Sequence, residues 1–211
     1  MKNRLVEISI AFVLTFALAL WGILGFDIPV YNFLHQFDYK ICDIISAIFN
    51  TKNWIVISFL IVVIFYIRKL IQTKTKVNLL EAYHMVRRSY AFWVFCSVCS
   101  AAVIGGIIKI LVGRMRPIFY EALNTTGFFP FAKDWAFHSM PSGHTLASFA
   151  GLVMIGMLAP RGRWFFLPLA VIVGVSRVCA GAHWPSDVIV GAFIGTVTAI
   201  VVKDILTRRV K

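Results

Sequence analysis

The sequence is short of charge. Only 14% of its 211 residues are charged, against 60% that are hydrophobic, and the mean hydropathy is +0.84. A water-soluble domain needs a polar skin that this composition cannot supply, which excludes a soluble enzyme and a disordered chain. Cysteine is also scarce, at four residues, so a disulfide-stapled secreted module is excluded as well. Acid is scarcer than base: nine Asp and Glu stand against 21 Lys and Arg, a formal charge of +12. In a soluble protein that surplus would point to nucleic acid. In a membrane protein it reports topology, because cytoplasmic loops collect Lys and Arg.

What the sequence does have is long uncharged stretches. Ile8–Phe26 and Ser89–Ile108 run 19 and 20 residues without a charge, close to the roughly 20 that cross a bilayer. Asn53–Ile67, Thr145–Pro160, Trp164–Ser176 and Val188–Val202 are shorter, at 15, 16, 13 and 15 residues. Each reaches full length only by taking in a charged or titratable neighbour, which at membrane depth marks a functional site. The expected fold is therefore an all-α integral membrane protein of six transmembrane helices, one domain over residues 1–211. The first stretch follows Lys2 and Arg4 as a signal peptide would. Its apolar run is too long for one, and no small-residue cleavage site precedes Asp27, so an uncleaved helix is expected.

With the N-terminus inside, fourteen of the 21 basic residues fall on inner segments: Lys2, Arg4, Arg68, Lys69, Lys74, Lys76, Arg87, Arg88, Arg161, Arg163, Lys203, Arg208, Arg209 and Lys211. Seven fall outside: Lys40, Lys52, Lys109, Arg114, Arg116, Lys133 and Arg177. This bias puts both termini in the cytoplasm. Between the first two spans, Asp27–Asn50 carries apolar residues at helical spacing, interrupted by Asp38, Lys40 and Asp43. It reads either as an amphipathic helix in the outer interface or as a loop packed on the bundle.

Three short patterns lie on the outer side. Lys109 precedes Arg116-Pro117 by two helical turns, so the two cations share a face if the helix continues past Gly113. Alone, Lys109 reads as a snorkelling lysine. Pro141-Ser142-Gly143-His144 opens a helix, where free N–H groups and the dipole favour an anion, although Ser142 also reads as a plain N-cap. Ser176-Arg177 is followed by His183 and then Asp187. A helix starting at Pro185 would carry Asp187 in its first turn, near enough to accept an imidazole N–H and leave the other ring nitrogen nucleophilic. The plainer role for Asp187 is to complement the helix dipole.

The order Lys-x6-Arg-Pro, Pro-Ser-Gly-His, Ser-Arg-x5-His-x3-Asp resembles the signature of the type 2 phosphatidic acid phosphatase superfamily, which also includes vanadium haloperoxidases and bacterial acid phosphatases. All eleven fixed positions match, within a signature region of 109–187. The resemblance implies a helical bundle of that type and a membrane lipid phosphatase. It implies His183 as nucleophile, passing through a phosphohistidine, with Asp187 orienting it and His144 as general acid. It implies Lys109, Arg116 and Arg177 as a clamp on phosphoryl oxygens, aided by Ser142 and the Gly143 N–H.

The outer carboxylates show no spacing suited to a Mg²⁺ cage, so neither metal nor cofactor is expected. The short spans place the pocket near the headgroups. The expected partner is thus a lipid phosphate, such as undecaprenyl diphosphate, phosphatidic acid, phosphatidylglycerol phosphate or lipid A, and not nucleic acid. The compact size suits a bacterial inner membrane, with the site facing the periplasm or exterior. The aromatic-rich 118–140 connection is either a lid or anchor over the pocket or a packed loop.

Arg114, five residues from Lys109, is expected to point elsewhere on a helix, and His138 to be a bystander. Cys96 and Cys99 fall inside the third span as ordinary small residues, and nothing pairs Cys42 with Cys179. Asn124-Thr125-Thr126 matches a glycosylation acceptor that matters only in a eukaryote. Two rival functions use the same residues: a lipid phosphotransferase, and an anion or lipid transporter. Transporters often show internal repeats, which this sequence lacks, and have no need of His183 beside Asp187.

Overall fold

The computed structural model describes residues 2–37, 39–73 and 79–208. Asp38, Lys74, Lys76, Arg209 and Lys211, used above as a helix interruption and as inner-side charges, lie outside the described residues. Helix α1 (Lys2–Trp21) runs through one π-helical segment, Gly22–Phe26, into α2 (Asp27–Leu34). Then come α3 (Tyr39–Ile48), α4 (Thr51–Thr73), α5 (Leu79–Arg87), α6 (Tyr90–Val112), α7 (Pro117–Leu123), α8 (Gly143–Leu158), α9 (Arg163–Cys179) and α10 (Pro185–Arg208).

Among the described residues, five stretches are long and apolar enough to cross a membrane: Arg4–Leu34, Lys40–Gln72, Tyr90–Val112, Pro160–Cys179 and Pro185–Arg208. The remaining expected span, Thr145–Pro160, is covered by α8. Its 16 residues make a rod of roughly 24 Å, shorter than a hydrocarbon core of roughly 30 Å. It is the axis of the bundle, with α4, α6, α9 and α10 packed around it. Most of its side chains, from Thr145 to Gly156, are buried. Five of the six expected spans are thus candidates by length and composition, and the sixth stretch is the short central helix α8. The Asp27–Asn50 segment is helical and not a loop. It forms two helices: α2 prolongs the first span and packs against α9 and α10, while α3 crosses α9.

Lipid tails are as apolar as leucine, so helices associate in a membrane through close packing and hydrogen bonds. The interior is accordingly small. Val94, Val98 and Ala101 of α6 meet Leu146, Ala147, Ala150 and Met154 of α8, closed by Ala199 of α10. Ser97 Oγ donates to the Ala150 carbonyl at 2.9 Å, and Trp54 Nε1 donates to Ser148 Oγ at 3.1 Å. Large side chains point outward instead, among them Leu14, Phe16, Ile57, Ile107, Trp164 and Phe165.

The α8–α10 contact is the closest. A Cβ on Gly195 would lie 2.4 Å from the Leu146 carbonyl oxygen and 3.0 Å from Ala150 N, both backbone atoms of α8. A Cβ on Gly106, also helical, would meet nothing within 4 Å. Gly195→Ala is therefore expected to cost about 2 kcal/mol and lower the Tm of the detergent-solubilised protein by about 4–8 °C. Gly106→Ala should leave Tm unchanged or slightly raised. Equal shifts in the two variants would show that the helices are not in backbone contact there.

Candidate active site

Four helix ends meet at one end of the bundle: the C-termini of α6 and α9, and the N-termini of α8 and α10. The motif residues gather there through direct bonds. Ser142 N donates to the Asp187 carbonyl at 3.0 Å, tying the start of α8 to the start of α10. Lys109 Nζ donates to the carbonyl of His138 at 2.7 Å and lies 3.4 Å from that of Ser139. Arg177, Arg116 and Lys109 are the charged groups around His144, in the first turn of α8. Arg177 Nε is buried with no hydrogen-bond partner among the described residues.

Asp187 has no exposed surface. One carboxylate oxygen, Oδ2, accepts from the Ser139 hydroxyl and from Trp184 N at 2.9 Å, and lies 3.5 Å from His183 Nδ1. The Trp184 bond is the return half of a capping box, a side chain in the first turn satisfying the N–H just before the helix. Asp187 thus does far more than complement the helix dipole. At 3.5 Å the His183 contact is longer than a formed hydrogen bond, and Nδ1 has no other partner among the described residues. Catalytic pairs often tighten only when substrate binds. Burial holds His183 well below the ordinary imidazole value of 6.5, Asp187 opposing the shift and Lys109 and Arg116 adding to it. The ring is therefore neutral at pH 7.

Arg116 is buried among backbone carbonyls. It donates to Ala182 O at 3.0 Å, to Trp135 O at 3.3 Å and to His138 O at 3.3 Å, and its guanidinium lies 4.0 Å from the centre of the Trp135 ring. Burial lowers it to about 10, with Asp187 pulling the other way, so it keeps its charge at neutral pH. Ser142 is the N-cap residue of α8 and fully buried, but its side chain makes no cap bond; its Oγ accepts from Thr145 Oγ1 at 3.0 Å. Gly143 lies against Lys109, where a Cβ would stand 3.8 Å from Lys109 Cε. Ser176 turns away: its hydroxyl donates to Val173 O at 2.8 Å.

One condition is not met and one expectation needs correction. Helix α6 does not continue past Gly113 to Arg116. It stops at Val112 because Gly113 takes φ +59, where a Cβ would collide with the Phe129 carbonyl at 1.8 Å. Lys109 and Arg116 still converge, but Arg116 arrives on an extended segment fixed by its N–H to Ala136 O. Arg114 does not point away. Once the helix ends, helical phase no longer governs it, and it turns inward to Asp187 at 2.7 Å and Asp27 at 2.6 Å. Arg114 and Asp27 are the residues that sequence reasoning missed. The only signal in the sequence was Gly113 standing immediately before Arg114.

His138 is a bystander in its ring, which pairs with Ala132 O at 2.8 Å, but its carbonyl holds both Lys109 and Arg116. The 118–140 connection packs on the bundle, with Phe137 between Phe119 and Phe129 and Tyr120 edge-on to Trp184. All four cysteines are free, and Cys42 and Cys179 are neighbours where α3 meets α9.

The PAP2 superfamily profile matches residues 90–211. Lipid A 1-phosphatase from Rhizobium johnstonii is 36% identical over 120 residues, covering 53% of this chain and 49% of that protein. Undecaprenyl-diphosphatase from Sulfolobus acidocaldarius is 32% identical over 111 residues, 52% of each chain. Probable lipid phosphate phosphatase 4 from Arabidopsis thaliana is 35% identical over 121 residues, 44% of this chain and 39% of that protein. The chain spans about half the length of the curated relatives it matches. No solved structure matches it significantly. The match takes in α6 to α10, which carry every motif residue at the shared end of the bundle, and on it the chain belongs to the PAP2 superfamily.

Proposed function

We propose that the protein is a metal-independent membrane lipid phosphatase that cleaves a phosphate monoester or diphosphate through a phosphohistidine on His183. The observation that carries this reading is a buried, neutral imidazole with Asp187 on one nitrogen and a cluster of cations on its other side. With Nδ1 turned to Asp187, Nε2 is the atom left for phosphorus. Attack forms the Nε2–P bond and breaks the P–O bond to the lipid. Burial, with the cations Arg177, Arg116 and Lys109, holds His144 down to about 4. An anionic phosphate among those cations raises it, so His144 takes up a proton with the substrate and gives it to the departing oxygen, while Asp187 stabilises the positive charge on the phosphorylated ring. In the second step His144 takes a proton from water, which attacks phosphorus and frees His183.

Lys109, Arg116 and Arg177 neutralise the equatorial oxygens, the main demand of phosphoryl transfer. Arg177, with an uncommitted buried Nε, has most to gain from an anion. Ser142 adds its hydroxyl proton, and the Gly143 N–H adds a further donor at the start of α8.

A lipid substrate is supported by three features. Relatives carry lipid phosphatase names: lipid A 1-phosphatase, undecaprenyl-diphosphatase and lipid phosphate phosphatase. The short α8 keeps the site near headgroup depth. Exposed Phe128, Phe129, Phe131 and Trp135 rim it as interfacial anchors. The positive-inside bias supports an exterior site with both termini in the cytoplasm, in a bacterial inner membrane.

Phosphate release from purified protein should be measured on undecaprenyl diphosphate, phosphatidic acid, phosphatidylglycerol phosphate and lipid A. At least one lipid is expected to be hydrolysed. His183→Ala and His144→Ala should each lose about 10³-fold or more in kcat while inserting and unfolding like the parent protein. Ordinary turnover in either variant would overturn the assignment. Turnover should also persist in excess EDTA, whereas loss on chelation with recovery on adding Mg²⁺ would overturn the metal-independent mechanism.

A further inference from the structure

A second charge cluster stands behind Asp187, on the side away from His183. Arg114 Nη1 donates to Asp187 Oδ1 at 2.7 Å and to Ser186 Oγ at 2.6 Å, and its Nη2 donates to Asp27 Oδ2 at 2.6 Å. Asp27 also accepts from Ser186 N at 2.9 Å and Ser186 Oγ at 2.6 Å. Side-chain exposure is 5% for Arg114, 4% for Asp27 and 0% for Asp187, so these charges answer to one another and not to water. Arg114 also lies 5.6 Å from the centres of the Phe128 and Trp184 rings, which screen it further.

The geometry constrains Asp187 in two ways. Its Oδ2 serves His183, Ser139 and Trp184; a carboxylate held at one oxygen alone could still turn about its Cβ–Cγ bond. Arg114 holds the other oxygen, which fixes the plane and so aims Oδ2 at the imidazole. The second effect is charge. Arg114 by itself would cancel Asp187. Shared between two carboxylates, it leaves the trio with one net negative charge, facing a histidine that becomes positive when phosphorylated.

Asp27 comes from the first membrane span, outside the 90–211 region that matches the family. The chain is shaped to deliver it. The Gly22–Phe26 π-helical segment shifts the helical phase just before Asp27, and such segments are frequent at functional sites. Gly22 lets that segment approach the start of α10: a Cβ there would lie 2.8 Å from Ser186 Cβ and 3.1 Å from Asp27 Oδ1.

We propose that Arg114 and Asp27 are positioning residues for phosphoryl transfer, holding Asp187 toward His183 without touching the phosphate, so that the first span completes the site. This rests on the phosphatase reading above. The test uses the full chain in detergent micelles, with the panel lipid that it hydrolyses fastest. Asp27→Asn, which leaves the Arg114–Asp187 pair intact, should lower kcat about 10-fold with KM within about twofold. The double variant Asp27→Asn/Arg114→Gln removes one charge of each sign but leaves buried Asp187 without its cation, so its Tm should fall. Assayed at a temperature where it remains folded, it should lower kcat about 100-fold, again with KM nearly unchanged.

Parental kcat in both variants, or losses of kcat that only track losses of Tm, would overturn the proposal. A large rise in KM at constant kcat would overturn it too, by placing Arg114 on the substrate. His183→Ala in the same assay separates the two readings. If it is inactive while both variants keep full kcat, only the positioning role fails. If it matches the parent protein, the phosphatase reading fails and the positioning role falls with it.

Discussion

A carboxylate with no access to water must find its partners inside the protein, and Asp187 is that carboxylate. Its bonds reach almost every part of the site end. Oδ1 takes Arg114; Oδ2 takes Ser139 and the Trp184 N–H and lies 3.5 Å from His183 Nδ1; its backbone carbonyl takes the Ser142 N–H. The start of α8, the start of α10, the segment after α6 and the end of the long outer connection are therefore placed relative to one atom group. Removing one partner would strand a buried charge, which costs far more than a surface ion pair contributes. The same arrangement that makes the pair expensive to break makes it rigid, and rigid orientation is what phosphoryl transfer needs most.

Much of this was legible in the sequence. Uncharged stretches located the helices, and the spacing of Lys109, Arg116, His144, Arg177, His183 and Asp187 identified the cluster that the bundle assembles. The parts that were not legible share a cause. Arg114 was set aside by counting along a helix, and the count ended at Gly113, whose left-handed backbone is dictated by the Phe129 carbonyl beside it. That carbonyl lies in a distant loop, so no local pattern could report it. Asp27 was hidden differently. It looked like the first polar residue past a span, and only the π-helical segment turns it inward. The α8 helix was legible as apolar but not as central, because apolar composition is the same whether a helix faces lipid or other helices.

The 118–140 connection reverses the usual division between scaffold and loop. Backbone carbonyls of Trp135, His138 and Ser139 hold Lys109 and Arg116, while His138 commits its ring to Ala132. Carbonyl oxygens are weak partners for a cation compared with carboxylates. The two cations are thus held in place without being neutralised, which leaves their charge for an incoming anion. Asp187, whose charge acts on both, is taken by Arg114 and its neighbours.

The Asp27–Arg114–Asp187 line also bears on how the protein is made. Asp27 leaves the ribosome 87 residues before Arg114, and Arg114 emerges 73 residues before Asp187. At about 5–20 residues per second, several seconds of synthesis separate the first member from the last. Until Arg114 emerges the Asp27 carboxylate lacks its cation, and from then until Asp187 emerges the pair lacks its third member. Only arrival of the last helix closes the line. Closing the line therefore joins α2 to α10 across 159 residues of sequence.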